Sequence, residues 1–388
     1  MKILFVVVGY FSPVSGVGKT CSSLAYYLAR ENEVMVFASR LDKGTSSKIA
    51  FRKVSFWNPG RRWAFIFPLP TLWNFILGSY LCFISRKRFD IIHVFNGLVW
   101  SKSAFITLQM CQKGAIKFSA GRSRIDRWKK ISPKHLLILG LECLIYHREL
   151  FRKLIVCSEF EKQEIVHFYR TNPSRIDVLY NGIDEIGIPT EEARKNARVA
   201  LGYSEDKNVC LFVGYDLKRK GLIFAIRALM LLPPEYRLLI VGGEDSTGYY
   251  AGILTEAGLL NRVRFVGPHR DISQFYNAAD IFVFPTLYEP FGTVVVEAMG
   301  RGLPVVVSKR AGAAELITPG KEGYLIENPE DHEEIANLIG KIRQQGIACF
   351  SGAALKTAGK ATWESRAAEL MAIYRDRGAT TRNDINYL

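Results

Sequence analysis

Two glutamates eight residues apart stand in a segment suited to a polyhydroxylated, anionic ligand. Residues 285–299 are P-T-L-Y-E-P-F-G-T-V-V-V-E-A-M, with Glu289 before a Pro-Phe-Gly turn and Glu297 one turn inside a helix predicted to begin at Thr293. Gly292 lets the backbone approach a ligand, and the first amides of a helix are unpaired donors for phosphate or sugar oxygens. Carboxylates accept hydrogen bonds from hydroxyl pairs, as in a ribose or a hexose. The segment predicts a sugar-binding pocket, and the alternative is a capped helix with two surface acids.

A second segment carries the positive charge that such a ligand needs. Residues 213–221 are V-G-Y-D-L-K-R-K-G, so a predicted buried strand ends at Gly214 and Arg219 and Lys220 precede the next helix. Arginine can grip a diphosphate with a bidentate fork, and lysine acts as a point charge. In a metal-independent transferase these cations stabilise the leaving diphosphate as its charge develops. The alternative is a solvated basic loop.

Two further turns follow predicted strands and fit the same pocket. Gly243 lies in a Gly-Gly-Glu turn at residues 242–244, and His269 and Arg270 lie in a G-P-H-R-D turn at residues 267–271. Such turns let the backbone approach a nucleotide, although each is also compatible with ordinary turn chemistry.

The first loop of the chain contains a glycine-rich turn. Residues 15–20 are S-G-V-G-K-T, but a phosphate-binding P-loop needs a glycine at the position of Pro13, which offers no N–H. We therefore expect Gly16 to lie at a helix N-terminus that faces an anion across a cleft. Pure turn chemistry, without a ligand, stays open.

The elements that must position these residues alternate between strand and helix along the whole chain. Predicted helices include residues 71–85, an amphipathic or buried helix that belongs to the core rather than to a membrane anchor. Another is a segment near 101–112, which is followed by a strand at 116–119. This alternation predicts an α/β protein with two doubly wound domains, residues 1–185 and 186–361, facing across a cleft. Ligands of such sheets bind beyond the carboxyl ends of the strands, where the segments above are expected.

The charge of the chain is concentrated in one half. The formal net charge is +15, and residues 1–185 hold 28 Lys or Arg against 13 Asp or Glu, whereas the remainder balances. This asymmetry indicates an anionic partner or a basic surface that favours solubility. Seven scattered cysteines without a C-x-x-C pair argue against disulfides and zinc, and with the absence of a clear signal peptide they favour the cytoplasm.

These motifs resemble the retaining GT-B glycosyltransferases (glycosyl transferases group 1, family 4 type), which pair two Rossmann-like domains. The Glu-x₇-Glu pair carries the resemblance, the segment F-V-G-Y-D-L-K-R-K-G is most similar to the lipopolysaccharide core glucosyltransferases, and residues 178–184 are similar to the interdomain hinge. Trp363 and Glu364 resemble the start of a C-terminal helix, about residues 362–380, that packs back on the N-terminal domain.

The resemblance implies a role for each residue of the donor site. Arg219 and Lys220 would bind the diphosphate above Gly16, Glu297 the ribose, and Glu289 the transferred sugar. The segment of Phe291, Gly292, Thr293 and Val294 would line the sugar and phosphate. Glu289, Arg219 and Lys220 would thus be the catalytic residues, without a metal or other cofactor.

The resemblance leaves the catalytic base unassigned. Many members have His-Gly after the strand that corresponds to residues 116–119, where this chain has Ala120-Gly121. The expected role of His93 is structural. The leaving phosphate itself would then help to deprotonate the acceptor.

The expected partners are a nucleotide sugar, with UDP favoured by the resemblance, and a glycan or lipid-linked acceptor held by the N-terminal domain. Basic and aromatic residues recur at 51–62, 86–88 and 122–134, as on a face that meets an anionic membrane. We expect a cytoplasmic enzyme peripheral on the inner face of the membrane, acting in lipopolysaccharide or polysaccharide assembly, with no nucleic acid partner. The alternatives are a soluble sugar or sugar-phosphate acceptor and a P-loop nucleotide hydrolase; the oligomeric state stays open.

Overall fold

The computed structural model describes residues 1–11, 16–41, 48–57, 68–119, 132–184, 187–245 and 248–376. Within them lie two parallel sheets, one of seven strands and one of six, each covered by helices. The α/β class predicted from the alternating pattern is therefore confirmed.

The N-terminal domain is built on the seven-stranded sheet, with strand order β3-β2-β1-β4-β5-β6-β7. Its strands are β1 (Lys2–Phe11), β2 (Glu33–Leu41), β3 (Ala50–Lys53), β4 (Ile91–Phe95), β5 (Ser101–Thr107), β6 (Phe151–Val156) and β7 (Ile176–Val178). Its helices are α1 (Gly16–Leu28), α2 (Leu69–Ser85), α3 (Gln112–Ser119), α4 (Pro133–Glu142), which continues as a π-helical turn (Cys143–His147), and α5 (Glu159–Tyr169).

The C-terminal domain is built on the six-stranded sheet, with strand order β10-β9-β8-β11-β12-β13. Its strands are β8 (Asn208–Gly214), β9 (Tyr236–Gly242), β10 (Val263–Gly267), β11 (Ile281–Phe284), β12 (Val305–Ser308) and β13 (Gly323–Ile326). Its helices are α6 (Glu191–Ala200), α7 (Leu222–Leu231), α8 (Tyr249–Glu256), α9 (Ser273–Ala278), α10 (Thr293–Gly300), α11 (His332–Gln345) and α12 (Ala348–Gly359). The central strands are fully buried, as expected for a parallel sheet with helices on both faces.

Two sequence predictions in the N-terminal domain were wrong. The segment near 101–112 contains strand β5 rather than a helix, and residues 116–119 belong to helix α3 rather than to a strand. Short apolar runs do not distinguish strand from helix by periodicity. The sheet decides the matter, because β5 pairs with both β4 and β6.

Helix α2 was predicted to be amphipathic or buried, and the structure shows the amphipathic arrangement. One face, with Leu81 and Cys82, packs against the sheet, but much of the opposite face is exposed to solvent. No helix within the described ranges has both the length and the apolar character needed to cross a bilayer.

The chain crosses between the two domains twice, and the two crossings lie side by side. Ile183 pairs with Thr362, and the N–H of Ile183 donates to the carbonyl of Ala361 at 2.8 Å. Helix α13 (Trp363–Arg375) then packs into the core of the N-terminal domain through Trp363, Leu370 and other side chains. The helix returns to this domain as the sequence resemblance implied, while the predicted boundary at residues 185 and 186 lies outside the described residues.

Candidate functional site

Three charged side chains meet at the carboxyl edge of the C-terminal sheet. Arg219 Nη1 and Lys220 Nζ lie 3.0 Å and 3.1 Å from the same oxygen, Glu289 Oε2. Arg219 also donates to the carbonyl of Tyr288 at 2.6 Å and lies 3.2 Å from Asp216. Both cations come from the loop after β8, and Glu289 comes from the loop after β11, so parallel pairing brings the two sequence motifs together.

The glycines around this cluster leave room for Lys220. A Cβ added to Gly214 would lie 2.2 Å from Lys220 Cδ, so the absence of a side chain lets the lysine stem pass over the end of β8. The ammonium group then lies 4.9 Å from the centre of the Phe284 ring. Gly221 has φ +77°, and a Cβ there would lie 1.9 Å from the carbonyl oxygen of Pro285. Gly221 therefore needs glycine for steric reasons, whereas a Cβ at Gly214 would displace the Lys220 stem.

The cations keep Glu289 ionised. Burial alone would raise the pKa of Glu289, but Lys220 and Arg219 together lower the pKa below its ordinary value. The carboxylate in turn holds both cations in place, and only 15% of its side chain is exposed. The cluster therefore holds two cations at fixed positions beside the cleft, with Glu289 and Asp216 as their counter-charges.

The loop that carries Glu289 is fixed by backbone pairing. Glu289 pairs with Ala311, and the N–H of Gly312 donates to the carbonyl of Glu289 at 3.0 Å. Gly292 has φ +94° and caps helix α10, so that Thr293 begins the helix. Phe291 is buried and stacks on Tyr180 of the N-terminal domain, with ring centroids 5.8 Å apart. The N-terminus of α10 thus faces the other domain.

Glu297, the second acid of the pair, forms a separate cluster across the cleft. Its Oε1 lies 3.3 Å from Lys19 Nζ of helix α1, and its Oε2 accepts a hydrogen bond from the Tyr276 hydroxyl at 3.0 Å. Lys19 also lies 3.3 Å from Asp184. Burial would lower the pKa of Lys19, but Glu297 and Asp184 more than offset this and raise it. Lys19 is therefore a charged cross-domain partner of Glu297.

The N-terminus of α1 lies in the same cleft. Gly16 begins the helix with φ +53°, and no heavy atom would come within 4 Å of a Cβ there. Gln109, after the end of β5, donates to Thr20 Oγ1 of this helix at 3.0 Å. Helix α1 therefore begins on the cleft side of its domain, and the position of Gly16 beside a donor stays a prediction.

The weaker turns lie at the same sheet edge. Gly243 follows β9, and its N–H donates to the carbonyl of Gly214 at 2.8 Å. His269 and Arg270 follow β10 and are exposed, with the His269 ring 4.8 Å from that of Phe275. Their direct contact with a nucleotide stays a prediction.

His93 has the structural role expected from the sequence. It is fully buried, and its two ring nitrogens lie 2.5 Å from the Tyr374 hydroxyl and 2.6 Å from Thr107 Oγ1. Burial lowers the pKa of His93 to about 3, which keeps the imidazole neutral.

The position expected to hold a catalytic histidine must be revised. Ala120 and Gly121 lie outside the described residues, and the segment before them is helix α3. The strand of that region is β5, and Leu108 and Gln109 follow it.

Three residues of the cleft were missed as site residues by sequence reasoning. Lys19 belongs to the segment considered as a P-loop, and Asp184 belongs to the predicted hinge. The sequence predicts no role for Tyr276. Their spacing gives no local signal, because they reach Glu297 from three different parts of the chain. Within the described ranges, no group of three or more His, Cys, Asp or Glu side chains is arranged to hold a metal ion.

Comparison with known families assigns both domains. Residues 14–185 match the model of Glycosyltransferase Family 4, and residues 193–349 match that of Glycosyl transferases group 1. A D-inositol 3-phosphate glycosyltransferase of Mycobacterium marinum is 32% identical over 235 residues, which are 58% of this chain and 50% of that protein. The chain thus matches about half the length of this relative.

Solved structures share the fold over nearly the whole chain. WaaG, a glycosyltransferase involved in lipopolysaccharide biosynthesis, superposes with a TM-score of 0.74 at 20% identity, covering 96% of this chain and 100% of WaaG. Anabaena HepE in complex with UDP and glucose gives a TM-score of 0.69 at 21% identity, covering 96% and 99%. This likeness confirms the GT-B fold. With a family 4 domain followed by a group 1 domain across most of its length, the protein belongs to the group 1 and family 4 glycosyltransferases.

Proposed function

We propose that the protein transfers a hexose from a nucleotide diphosphate sugar, with UDP as the nucleotide, to a membrane-associated glycan or lipid-linked acceptor in the assembly of a cell-surface polysaccharide or lipopolysaccharide. The observation that carries the proposal is the meeting of Arg219, Lys220 and Glu289 beside the N-terminus of α10. Two fixed cations and a carboxylate are the groups that a diphosphate and a sugar need.

Arg219 and Lys220 stabilise the leaving diphosphate. Their charges are already oriented by Glu289, so no reorganisation is needed when negative charge develops on the phosphate. The unpaired amides at the start of α10 add further donors. In this proposal the protein supplies the positive charge and the reaction needs no metal ion.

Glu289 and Glu297 bind the two ends of the donor. Glu289 accepts from the hydroxyls of the transferred sugar, and Glu297 accepts from the ribose. Tyr276 and Lys19 hold the Glu297 carboxylate on both sides, which fixes it for paired hydroxyls. Retention follows the scheme implied by the family, in which the leaving phosphate takes the acceptor proton.

The finer identity of the substrates rests on the relatives. UDP and glucose occupy HepE, and WaaG acts in lipopolysaccharide biosynthesis. HepE favours a UDP-hexose donor for this chain, and WaaG favours a surface-glycan acceptor. A P-loop hydrolase is disfavoured, since Lys19 pairs with two carboxylates across the cleft.

A thermal-shift screen of UDP-, GDP- and ADP-sugars, each with EDTA, tests the donor. A donor at 100 times its dissociation constant should stabilise the fold by about 2.7 kcal/mol through linkage. We expect the largest shift with a UDP-hexose. If no nucleotide sugar shifts the transition, and Mg²⁺-ATP does, the proposal is wrong.

A further inference from the structure

Helix α2 of the N-terminal domain carries a long apolar face that is open to solvent. Its members recur every three or four residues, so they share one side of the helix. They are Leu69, Trp73, Ile76, Tyr80 and Phe83, flanked by Leu72 and Ile84. Ile76, Tyr80 and Phe83 are 54%, 58% and 57% exposed. We call these residues the α2 face.

The opposite side of α2 accounts for its place in the fold. Leu81 and Cys82 pack into the core, and a Cβ on Gly78 would lie 2.8 Å from Val99 Cγ1, so the helix sits tightly on the domain. The sequence has no Asp, Glu, Lys or Arg between Leu69 and Ser85. Packing of the domain therefore uses only one side of a helix that has no charged residues, and a contiguous exposed apolar surface of this kind marks an interaction site.

One tryptophan, Trp73, belongs to the α2 face, and two more, Trp57 and Trp100, lie beside it in segments joined to the helix by hydrogen bonds. The N–H of Trp57 donates to the Asn74 side chain at 2.8 Å, and the indole of Trp73 donates to the carbonyl of Ser55 at 3.0 Å. The N–H of Trp100 donates to Ser79 Oγ at 2.9 Å. All three indoles are about half exposed. Tryptophan and tyrosine favour the boundary between hydrocarbon and water.

A basic triplet follows the helix directly. Arg86, Lys87 and Arg88 are exposed, and the Arg86 guanidinium lies 4.2 Å from the centre of the Phe83 ring. The positive charge therefore adjoins the apolar surface. Aromatic rings beside an exposed apolar surface suit the headgroup level of a membrane, and the adjoining cations suit anionic lipid.

We propose that the α2 face and the basic triplet dock the enzyme on an anionic lipid surface. Anionic headgroups complement the triplet and the net positive N-terminal half, whereas a second copy of this chain would bring like charges together. Docking deepens the proposed function on the acceptor side, since it brings the domain expected to hold the acceptor to the membrane.

Vesicle co-sedimentation of the 388-residue chain tests docking. The vesicles contain phosphatidylcholine with phosphatidylglycerol, or phosphatidylcholine alone. The triple variant Ile76→Ser, Tyr80→Ser and Phe83→Ser should bind the anionic vesicles about tenfold or more weakly than the parent chain. The matched control Met230→Ser, Leu231→Ser and Leu260→Ser removes three exposed apolar side chains from the other domain and should bind like the parent.

The basic triplet is tested separately with Arg86→Gln, Lys87→Gln and Arg88→Gln. This variant should lose the preference for anionic vesicles and most of the salt dependence of binding. Equal binding of parent and serine variant would overturn the proposal. So would a parent that sediments as a dimer, becomes a monomer in the serine variant and ignores vesicles, because a second copy would then occupy the face.

Donor binding separates this test from that of the proposed function. Thermal shift with UDP-glucose should be unchanged in all three variants, because their substitutions lie outside the donor cluster. Vesicle binding without any donor shift in the parent would support docking and refute the transferase proposal. A donor shift without vesicle binding would support the transferase proposal and refute docking.

Discussion

At the scale of single residues, the donor proposal depends on the shared oxygen of Glu289. Arg219 and Lys220 both approach Oε2, so neither cation is free to move independently before a ligand arrives. Removing one member of a buried charged group leaves the others without compensation. Substitutions here should therefore affect chemistry and charge balance more than shape.

Glu289→Gln keeps the size of the side chain and removes its charge. We expect kcat to fall about 100- to 1,000-fold, because the cations lose their orientation and the sugar loses a strong acceptor. A transfer assay with a UDP-hexose measures this. Glu327→Gln, at an exposed acid paired with Lys309, serves as the control and should keep full activity. Full activity of Glu289→Gln would contradict the assignment.

Lys19→Met tests the partner of Glu297. We expect the KM for the donor to rise about tenfold, or ~1.4 kcal/mol, since Glu297 loses its cation and the cleft loses positive charge. Lys2→Met, which removes an exposed lysine paired with Glu33, should leave the KM unchanged. A lower KM in Lys19→Met would mean that the lysine competes with the donor for Glu297.

At the scale of elements, the end of β8 decides whether Lys220 can reach Glu289. Gly214→Ala places a Cβ in the path of the lysine stem, which is flexible and can move away. We expect kcat/KM to fall about tenfold or more, with a small change in the free energy of unfolding. Steady-state kinetics and denaturant unfolding measure the two effects.

Gly252→Ala is the matched control for that substitution. No heavy atom would lie within 4 Å of a Cβ at Gly252, which is inside helix α8. Alanine there should stabilise the protein by about 1 kcal/mol and leave the kinetics unchanged. If Gly214→Ala behaves in the same way, the steric argument fails.

Helix α5 buries acids whose ionisation opposes folding. Burial raises the pKa of Glu161 to about 8 and that of Glu164 to about 7, and burial in the neighbouring α4 raises the pKa of Glu142 to about 7. Glu161 accepts from the N–H and the thiol of Cys157, at 3.0 Å and 3.1 Å. The folded state accommodates these acids when they are protonated. Their ionisation lowers the free energy of unfolding, because an uncompensated charge is then buried.

The stability of the protein should consequently fall as the pH rises. Because the folded-state pKa of Glu161 is raised, its contribution is complete below the ordinary glutamate pKa and is lost as the pH passes about 8. Each tenfold difference in proton affinity corresponds to about 1.4 kcal/mol. Guanidinium unfolding at acidic and alkaline pH measures the free energy of unfolding. This free energy should fall less with rising pH in Glu161→Gln than in the parent. If the free energy of unfolding depends on pH in the same way in both proteins, Glu161 does not contribute to this pH dependence.

At the scale of the whole molecule, a set of polar contacts holds the domains together next to the site. The carboxylate of Glu315 accepts from the N–H groups of Glu159 and Phe160 at the start of α5, at 3.0 Å and 2.7 Å. Ser158 donates to the carbonyl of Pro290 at 2.7 Å, and Tyr288 donates to Glu164 at 2.7 Å. Pro290 and Tyr288 are the residues on either side of Glu289, so these contacts between the domains are made by the loop that carries the proposed donor acid.

Glu315→Ala should loosen this closure. The start of α5 loses a carboxylate that accepts from its N–H groups and interacts favourably with the helix dipole. Because this contact joins the domains, we expect a larger radius of gyration by small-angle scattering and a higher KM for the donor. Glu256→Ala, at an exposed acid of α8, should change neither quantity. An unchanged radius and KM in Glu315→Ala would show that the other contacts suffice.

Much of the donor side could be predicted from the sequence because its signals are local. Residues 213–221 and 289–297 each combine a strand end, a glycine and charged groups within a few positions. The errors fall where local signals are ambiguous: the strand β5 was predicted as a helix and the helix α3 as a strand, and for α2 the choice between amphipathic and buried stayed open. Apolar composition alone does not state which side of a helix the fold will cover.

The sequence by itself determined the α/β fold class and the family, and it supplied the acids and cations of the proposed donor site. Short-range periodicity and turn chemistry specify these features, and they do not depend on distant residues. Only the tertiary structure decided that Lys19, Asp184 and Tyr276 converge on Glu297, and that the α2 face is open. Such contacts join residues far apart in the chain, so they follow from the packing of domains, which no local pattern records.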